Sequence, residues 1–472
     1  MWNSGEIAKI VNGRLHGNEN VSFCGCSVDS RKITPGEIFI ALAGEKVDGH
    51  DFIDKAYQSG ANVVLAEEGK SSKLDMSAIP EDRALILVAN SLDAFQRLAR
   101  AWRDKINPVV IGITGSNGKT TTKDMVAAVL GQKYKVHKNA ENHNTDIGLP
   151  MTILKADEDT EILVLEMGMR GLGQIKTLCE IARPDTGVIT NIGTTHLELL
   201  GTCENIAEAK WELIESLPAS GTAVLNTEDF WSIKKSGRIN NPIVFYGTKG
   251  EYKTPDIFGG NFVVVGEMGT SFDVNYKNEK FRGELPIPGE HNILDALAAL
   301  GVGMVYGVSL EKGLLGLKNF KLSGMRLEIL DGIDESRIIS DVYNANPVSM
   351  KASLEVLKSR GGEKTVAVLG EMYELGEAAV KGHCEVGIVV GELQISELVV
   401  VGKLAENIAL GALQAGMEKE HVHYCSNCEE ALEVTKIVLK KLGSGTSVLV
   451  KGSRGMKMEN ISLPLQKKMQ GV

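Results

Sequence analysis

Apolar residues in this chain come in short runs, set apart by longer stretches in which they recur every three or four positions. The run Val109 to Ile113, rich in β-branched residues, passes through the glycine-bearing stretch Gly112 to Gly118 into KTTTKDMVAAVLGQ, where Met125, Val126, Val129 and Leu130 fall at helical spacing. A short continuous apolar run reads as a buried strand and the helical period as an amphipathic helix, so the pattern predicts strand, loop, helix. Further runs at EILVLEMG, TGVITNIG and GTAVLN are separated by segments long enough for helices. That alternation predicts a buried parallel sheet wound with helices on both faces.

Two further blocks flank this one. Before Asn107 and Pro108, the polar turn DSRKITPG (Asp29 to Gly36) leads into the apolar EIFIAL, read as loop then strand. After Gly324, apolar runs at RIISDVY, KTVAVLGEM, ISELVVVG and TSVLVKGSRG alternate with amphipathic stretches such as Met350 to Leu357. They predict a second, smaller α/β domain. A chain of 472 residues exceeds the roughly 250 to 300 at which one hydrophobic core stops growing. The expected divisions are 1–106, 107–323 and 324–472.

A formal net charge of -10 argues against a nonspecific basic surface for nucleic acid, so an anionic substrate must meet locally clustered cations. The amino terminus lacks a basic segment followed by an apolar core. The longest uncharged stretch, Ala296 to Leu310, is broken by glycine and shorter than the ~20 residues of a membrane span. No membrane insertion and a cytoplasmic location are therefore expected. The seven scattered cysteines are read as reduced thiols. Cys425 and Cys428 form a C-x-x-C pair, but only His421 and His423 lie near it to complete the four ligands of a structural zinc site.

The loop carries the chemistry. Gly115, Ser116, Asn117 and Gly118 allow backbone N–H groups to converge on phosphate oxygens, helped by the positive end of the helix that follows. Lys119 would reach the β/γ-phosphates and the Thr120 hydroxyl would enter a Mg²⁺ shell, with Thr121 beside them. The usual G-x-x-x-x-G-K-[ST] pattern has a glycine where Ile113 stands, with Gly112 displaced by one, but the strand before and helix after supply the required setting. Mg²⁺ prefers hard oxygen ligands, and Glu166, closing a neighbouring strand, is the candidate carboxylate. No G-x-S-x-G elbow supports a covalent serine mechanism, and no N-K-x-D stretch supports a guanine-reading switch. His196, after another strand end, and Lys210, on an expected helix, are not singled out by pattern alone.

Taken in order, TGSNGKTT, NHNTDIGLP, LEMGMRG, TNIGTTHLELLG, PGEHNILDALAA and VKGSRGMKME resemble the motifs of the Mur ligase family, the ATP-dependent amide-bond-forming enzymes of peptidoglycan precursor synthesis. The displaced glycine is usual in that family. The resemblance implies an α/β protein of three domains: a central P-loop parallel-sheet ATPase domain, a small N-terminal α/β domain for a UDP-sugar, and a C-terminal Rossmann-like α/β domain for an incoming dipeptide and closure over ATP. It implies ATP and Mg²⁺ as cofactors, small-molecule substrates and a monomer.

The resemblance also implies residue roles. Lys119 and Thr120 would handle ATP and the first Mg²⁺, with Glu166 and His196 at the metal site. Lys210 falls where relatives carry a carbamylated lysine near a second metal, and His291 with Asn292 where they contact adenine. Arg326 would approach the ATP phosphates from the third domain; Lys119, Lys210, His196 and Arg326 are thus the implied catalytic set. Asp341, Tyr343 and Asn344 would lie near the nucleotide and Asn346 near substrate, while Ser30, Arg31 and Lys32 would meet the UDP-sugar and Asn142 and Asn144 its sugar and phosphates. Lys451, Ser453 and Arg454 match a third-domain motif of unassigned task. SDVYNANPVSM (Ser340 to Met350) is similar to the member that adds D-alanyl-D-alanine to a UDP-MurNAc-tripeptide. Val348 follows Asn346 and Pro347 where the member adding the third residue has arginine, and the first domain argues against a folylpolyglutamate synthase.

Overall fold

Each of the three blocks builds its own sheet. The computed structural model describes residues 2–467 apart from 45, 74, 75, 77, 78, 141, 142, 194, 267, 268 and 361, so Asn142 lies outside the described residues. The central sheet has nine strands, in the order Glu279–Leu285, Gly269–Tyr276, Ile257–Val265, Ile243–Gly247, Thr222–Asn226, Thr186–Ile189, Val109–Thr114, Ile162–Glu166 and Val136–Lys138. From Ile257–Val265 to Val136–Lys138 the pairing is parallel, and the first three strands are antiparallel. That antiparallel edge departs from the all-parallel expectation.

After Val109–Thr114 the chain winds first to one side, through Val136–Lys138 and Ile162–Glu166, and then to the other from Thr186–Ile189. Such a switch opens a crevice at the carboxyl ends of the strands, where α/β sheets bind ligands. Helix Lys119–Leu130 leaves from that end and packs on helix His291–Val305. The uncharged stretch from Ala296 thus belongs largely to a buried helix, and among the described residues no helix is long and apolar enough to cross a membrane.

The first block forms a five-stranded sheet, Arg14–Gly17, Ala84–Val88, Val63–Glu67, Ile38–Ile40 and Cys26–Ser27, parallel except for the pair with Arg14–Gly17. Helix Ser91–Ile106 joins it to the central block: it packs on helix Gly148–Leu154, and the Trp102 indole donates to the Ala156 carbonyl at 3.0 Å.

The third sheet has six strands, Glu328–Asp331, Arg337–Asp341, Ser447–Lys451, Thr365–Gly370, Glu397–Val401 and Val422–Cys425, all parallel after the first pair. His421 and His423 turn away from the cysteines: their rings lie 3.2 and 2.9 Å from the two oxygens of buried Glu397.

Helices Ala379–Glu392 and Glu406–Gln414 cross through glycines in this third block. A Cβ on Gly387 would fall 1.9 Å from the Ile408 carbonyl oxygen, which is backbone and has little room to move. Gly387→Ala must force the helices apart, and a loss of about 3 kcal/mol is expected, the upper end of ordinary overpacking. A chemical-denaturation midpoint unchanged from wild type would contradict that packing.

Candidate active site

The strand Val109–Thr114 ends at Gly115, whose φ is +153° and whose Cβ, if present, would lie 1.8 Å from Thr190 Oγ1. Only glycine brings the backbone this close to the neighbouring strand end. The loop is then fastened to the segment after Thr186–Ile189. Ser116 N–H donates to the Asn191 carbonyl (2.8 Å), Asn117 N–H to Asn191 Oδ1 (3.0 Å), and Gly193 N–H to Ser116 Oγ (2.8 Å). Two of the four N–H groups expected in a phosphate cradle are therefore engaged within the protein, because a rigid loop needs its own partners. Gly118, at φ +79°, caps helix Lys119–Leu130, whose first-turn N–H groups have no intrahelical acceptor.

Lys119 Nζ curls back to the carbonyls of Gly115 (2.8 Å) and Ser116 (3.2 Å). Burial lowers its pKa, and Glu166 works in the opposite sense. The Thr120 hydroxyl donates to Glu166 Oε2 at 2.7 Å, while the Asn144 amide donates to Glu166 Oε1 at 2.8 Å. Asn139 holds the backbone of Glu166 on both sides, accepting from its N–H (2.9 Å) and donating to its carbonyl (3.0 Å). A buried carboxylate with both oxygens turned toward hydroxyl and amide groups is thus fixed beside the loop.

Lys210, on helix Cys203–Glu215, is buried and donates to the Gly115 carbonyl at 3.0 Å. Burial pushes its pKa well below the ordinary lysine value, the charge of Lys119 adds to that, and Asp229 opposes it. His196 has a left-handed backbone (φ +65°) at the start of helix Leu197–Leu200, with Nδ1 2.9 Å from Glu374 Oε2.

The third block reaches into the same space. Arg326 donates to Thr120 Oγ1 (3.0 Å) and stacks over the Tyr343 ring, 4.1 Å from its centroid. The Asn346 amide donates to Asn117 Oδ1 at 2.6 Å. Asp341 and Lys451, opposite each other on adjacent strands, form a buried ion pair, and Lys451 also donates to the Asn344 carbonyl at 3.0 Å.

Apart from Asn139 and Asp229, these residues border one cavity of about 1230 Å³, together with Thr121, His291, Asn292, Ser453 and Arg454. The Asn292 amide donates to the Pro288 carbonyl at 2.6 Å. Ser30, Arg31 and Lys32 are not among its walls: Ser30 is buried in the first block and Arg31 pairs with Asp29 at 2.8 Å. Three lining residues escaped sequence reasoning. Asn191 staples the loop, Asp295 accepts from Thr122 (2.8 Å) beneath Gly118, and Glu374 faces His196. Burial pushes the Asp295 carboxyl up to about 8. A lone carboxylate in the apolar run HNILDALAALG was its available signal.

A parallel-sheet P-loop domain clasped between two α/β domains, with cations from two of them facing one cavity, defines a nucleotide-dependent ligase architecture. Three domain families match: "Mur ligase family, catalytic domain" over residues 22–103, "Mur ligase middle domain" over 113–303, and "Mur ligase, glutamate ligase domain" over 325–454. The chain belongs to the Mur ligase family. It is 39% identical to the UDP-N-acetylmuramoyl-tripeptide--D-alanyl-D-alanine ligase of Bacillus subtilis, over 96% of each chain. With the enzyme of that name from Escherichia coli it shares 31% identity, over 98% of this chain and 97% of the other. Among solved structures it is similar to MurF from Acinetobacter baumannii (TM-score 0.85, 28% identity, 98% of each chain). It is also similar to the MurF ligase from Thermotoga maritima in complex with ADP (TM-score 0.78, 30% identity, 93% and 96% of the two chains). Its likeness within the family is to the MurF type.

Proposed function

We propose that this chain is the ATP-dependent ligase that adds D-alanyl-D-alanine to UDP-N-acetylmuramoyl-tripeptide, yielding the pentapeptide peptidoglycan precursor, ADP and phosphate. The observation that carries the reading is the meeting of Lys119, Thr120 and Glu166 from the central domain with Arg326 and Asn346 from the third, in a chain 39% identical to a ligase of that name.

A carboxylate is a poor electrophile because oxide is a poor leaving group. Its oxygen attacks the γ-phosphorus of ATP, releasing ADP and forming an acyl phosphate. The dipeptide amine then attacks the acyl carbon, losing a proton, and phosphate departs with the former carboxylate oxygen. The first step brings two anions together, so catalysis requires fixed positive charge. Lys119, the first-turn N–H groups of its helix and Arg326 supply it; the Tyr343 ring holds the guanidinium plane in place. Closure of the third domain shields the acyl phosphate from water.

The donor set fits Mg²⁺, since the Thr120 hydroxyl and the Glu166 carboxylate are hard oxygens already brought together, with His196 on the cavity wall. A bound Mg²⁺ would neutralise charge developing on the phosphates. Mg²⁺ prefers oxygen ligands, so Lys210 would serve the metal site as a carbamate and not as an ammonium. Its lowered pKa favours the neutral amine that combines with CO₂, losing a proton, to give a carbamate anion. We assign the UDP-sugar end to residues 1–106 through Ser30, Arg31 and Lys32, nucleotide chemistry to 107–323, and the dipeptide to 324–472. The protein is assigned to the cytoplasm as a monomer, since one chain carries all three groups of residues.

Purified protein given Mg-ATP and UDP-MurNAc-tripeptide is expected to release phosphate only when D-alanyl-D-alanine is added, with a pentapeptide mass in the product. Release that ignores the dipeptide, or none with any combination, would overturn this assignment.

A further inference from the structure

The contact between His196 and Glu374 joins two domains across the cavity, and both residues pay a conformational penalty to make it. Their backbones are left-handed, at φ +65° and +63°, a region that residues with a Cβ adopt only where their surroundings impose it. The surroundings here are specific. Ser453 clamps the Glu374 loop, accepting from Tyr373 N–H (2.8 Å) through Oγ and donating its own N–H to the Glu371 carbonyl (3.0 Å). On the far side, Gly376 lies against Glu198, where a Cβ would stand 3.1 Å from the Glu198 Cβ. The His196 Nδ1 is buried with no hydrogen-bond partner among the described residues in this arrangement, and Glu374 Oε2, 2.9 Å away, is a carboxylate oxygen within reach of it.

We propose that Glu374 is a positioning residue: from the third domain it fixes the tautomer and ring orientation of His196, so that the imidazole presents Nε2 to the cavity only when the domains are together. This rests on the ligase reading above. A carboxylate accepting from one ring nitrogen leaves the other as a lone-pair donor, the arrangement that outer partners impose on working histidines. It also gives Ser453 a task, as the clamp that holds Glu374 at the domain junction.

The test compares Glu374→Ala, Glu374→Gln and Ser453→Ala with wild type in the full ligation assay. Loss of an orienting partner typically costs 10- to 100-fold, and Glu374→Ala is expected to lower kcat by about that much with KM for ATP and dipeptide within about twofold. Glu374→Gln, whose amide oxygen still accepts from Nδ1–H, should recover most of the rate, and Ser453→Ala should fall between them. Adding Glu374→Ala to His196→Ala should cost nothing further. With ¹⁵N-labelled histidine, NMR should show His196 protonated at Nδ1 in wild type and a tautomer mixture in Glu374→Ala. An unchanged tautomer, additive losses, or a dipeptide KM raised equally by Ala and Gln would overturn the proposal; the last would make Glu374 a substrate contact. Absence of pentapeptide from wild type would instead strike the ligase reading, with the NMR result still deciding the orientation of His196.

Discussion

Lys119→Ala is expected to lower kcat for ligation by about 10²- to 10³-fold, the usual effect of removing one donor aimed at developing charge. The ammonium is already desolvated, held by the Gly115 and Ser116 carbonyls at 2.8 and 3.2 Å. A cation fixed in a water-poor site needs no reorganisation as charge gathers on the transferred phosphoryl group, and its bonds to phosphate oxygens are charge-assisted. The fold should tolerate the change. Removal of the side chain leaves the Gly115 carbonyl still bonded to Lys210 and frees that of Ser116 at the cavity wall, where water can reach it, so the melting temperature should move little. Lys119→Arg should rescue poorly, because a planar guanidinium cannot replace a compact point charge in a loop that closes on its own carbonyls. Phosphate release and product mass, read beside a thermal melt, check the prediction, and undiminished ligation by the alanine variant would remove Lys119 from the chemistry.

The same residue shows what was legible in the chain. Strand Val109–Thr114, the loop and helix Lys119–Leu130 follow from local pattern because propensity, periodicity and turn chemistry all favour one answer there. The antiparallel edge, Ile257–Val265 to Glu279–Leu285, was illegible because Phe262, Val263, Val264 and Val265 are exposed and break the expected burial pattern. Its tight turn uses Lys277 and Asn278 at φ +47° and +69°, without the Asn-Gly pair that usually marks such a hairpin. In the site, Thr120 lies in the first turn of the helix after one strand and Glu166 ends the neighbouring strand, so the two could be paired from sequence. The bond between Asn346 and Asn117 spans 229 positions and depends on how two domains are placed, which no local pattern encodes. His196 with Glu374 is hidden for the same reason, while Ser453 and Tyr373, 80 positions apart, are brought together only by the folding of the third domain.

Lys451→Met should be the most damaging single change to the third domain, costing about 3 to 5 kcal/mol near neutral pH, as expected when one partner of a buried ion pair is removed. Asp341 and Lys451 are opposite each other in the sheet and almost fully buried. Burial by itself would raise the Asp341 carboxyl, but attraction to Lys451, hydrogen bonds from Lys451 and Ser353, and the nearby Arg326 more than offset it, leaving it below its ordinary value. A carboxyl lowered in the folded state adds stability that is present above its unfolded pKa and disappears as pH falls through the folded one. Without Lys451 the burial effect governs: Asp341 should titrate above its ordinary value and bind its proton more tightly folded than unfolded. The sign then reverses, and the variant should gain stability as pH falls through that raised pKa, while wild type does not. The double change Asp341→Leu with Lys451→Met should regain much of the loss, since a buried pair replaced by apolar groups is often neutral. Denaturation midpoints of the three proteins between neutral and mildly acidic pH make the comparison. A Lys451→Met protein whose stability deficit stays constant across that range would show that Asp341 does not depend on Lys451 for its charge.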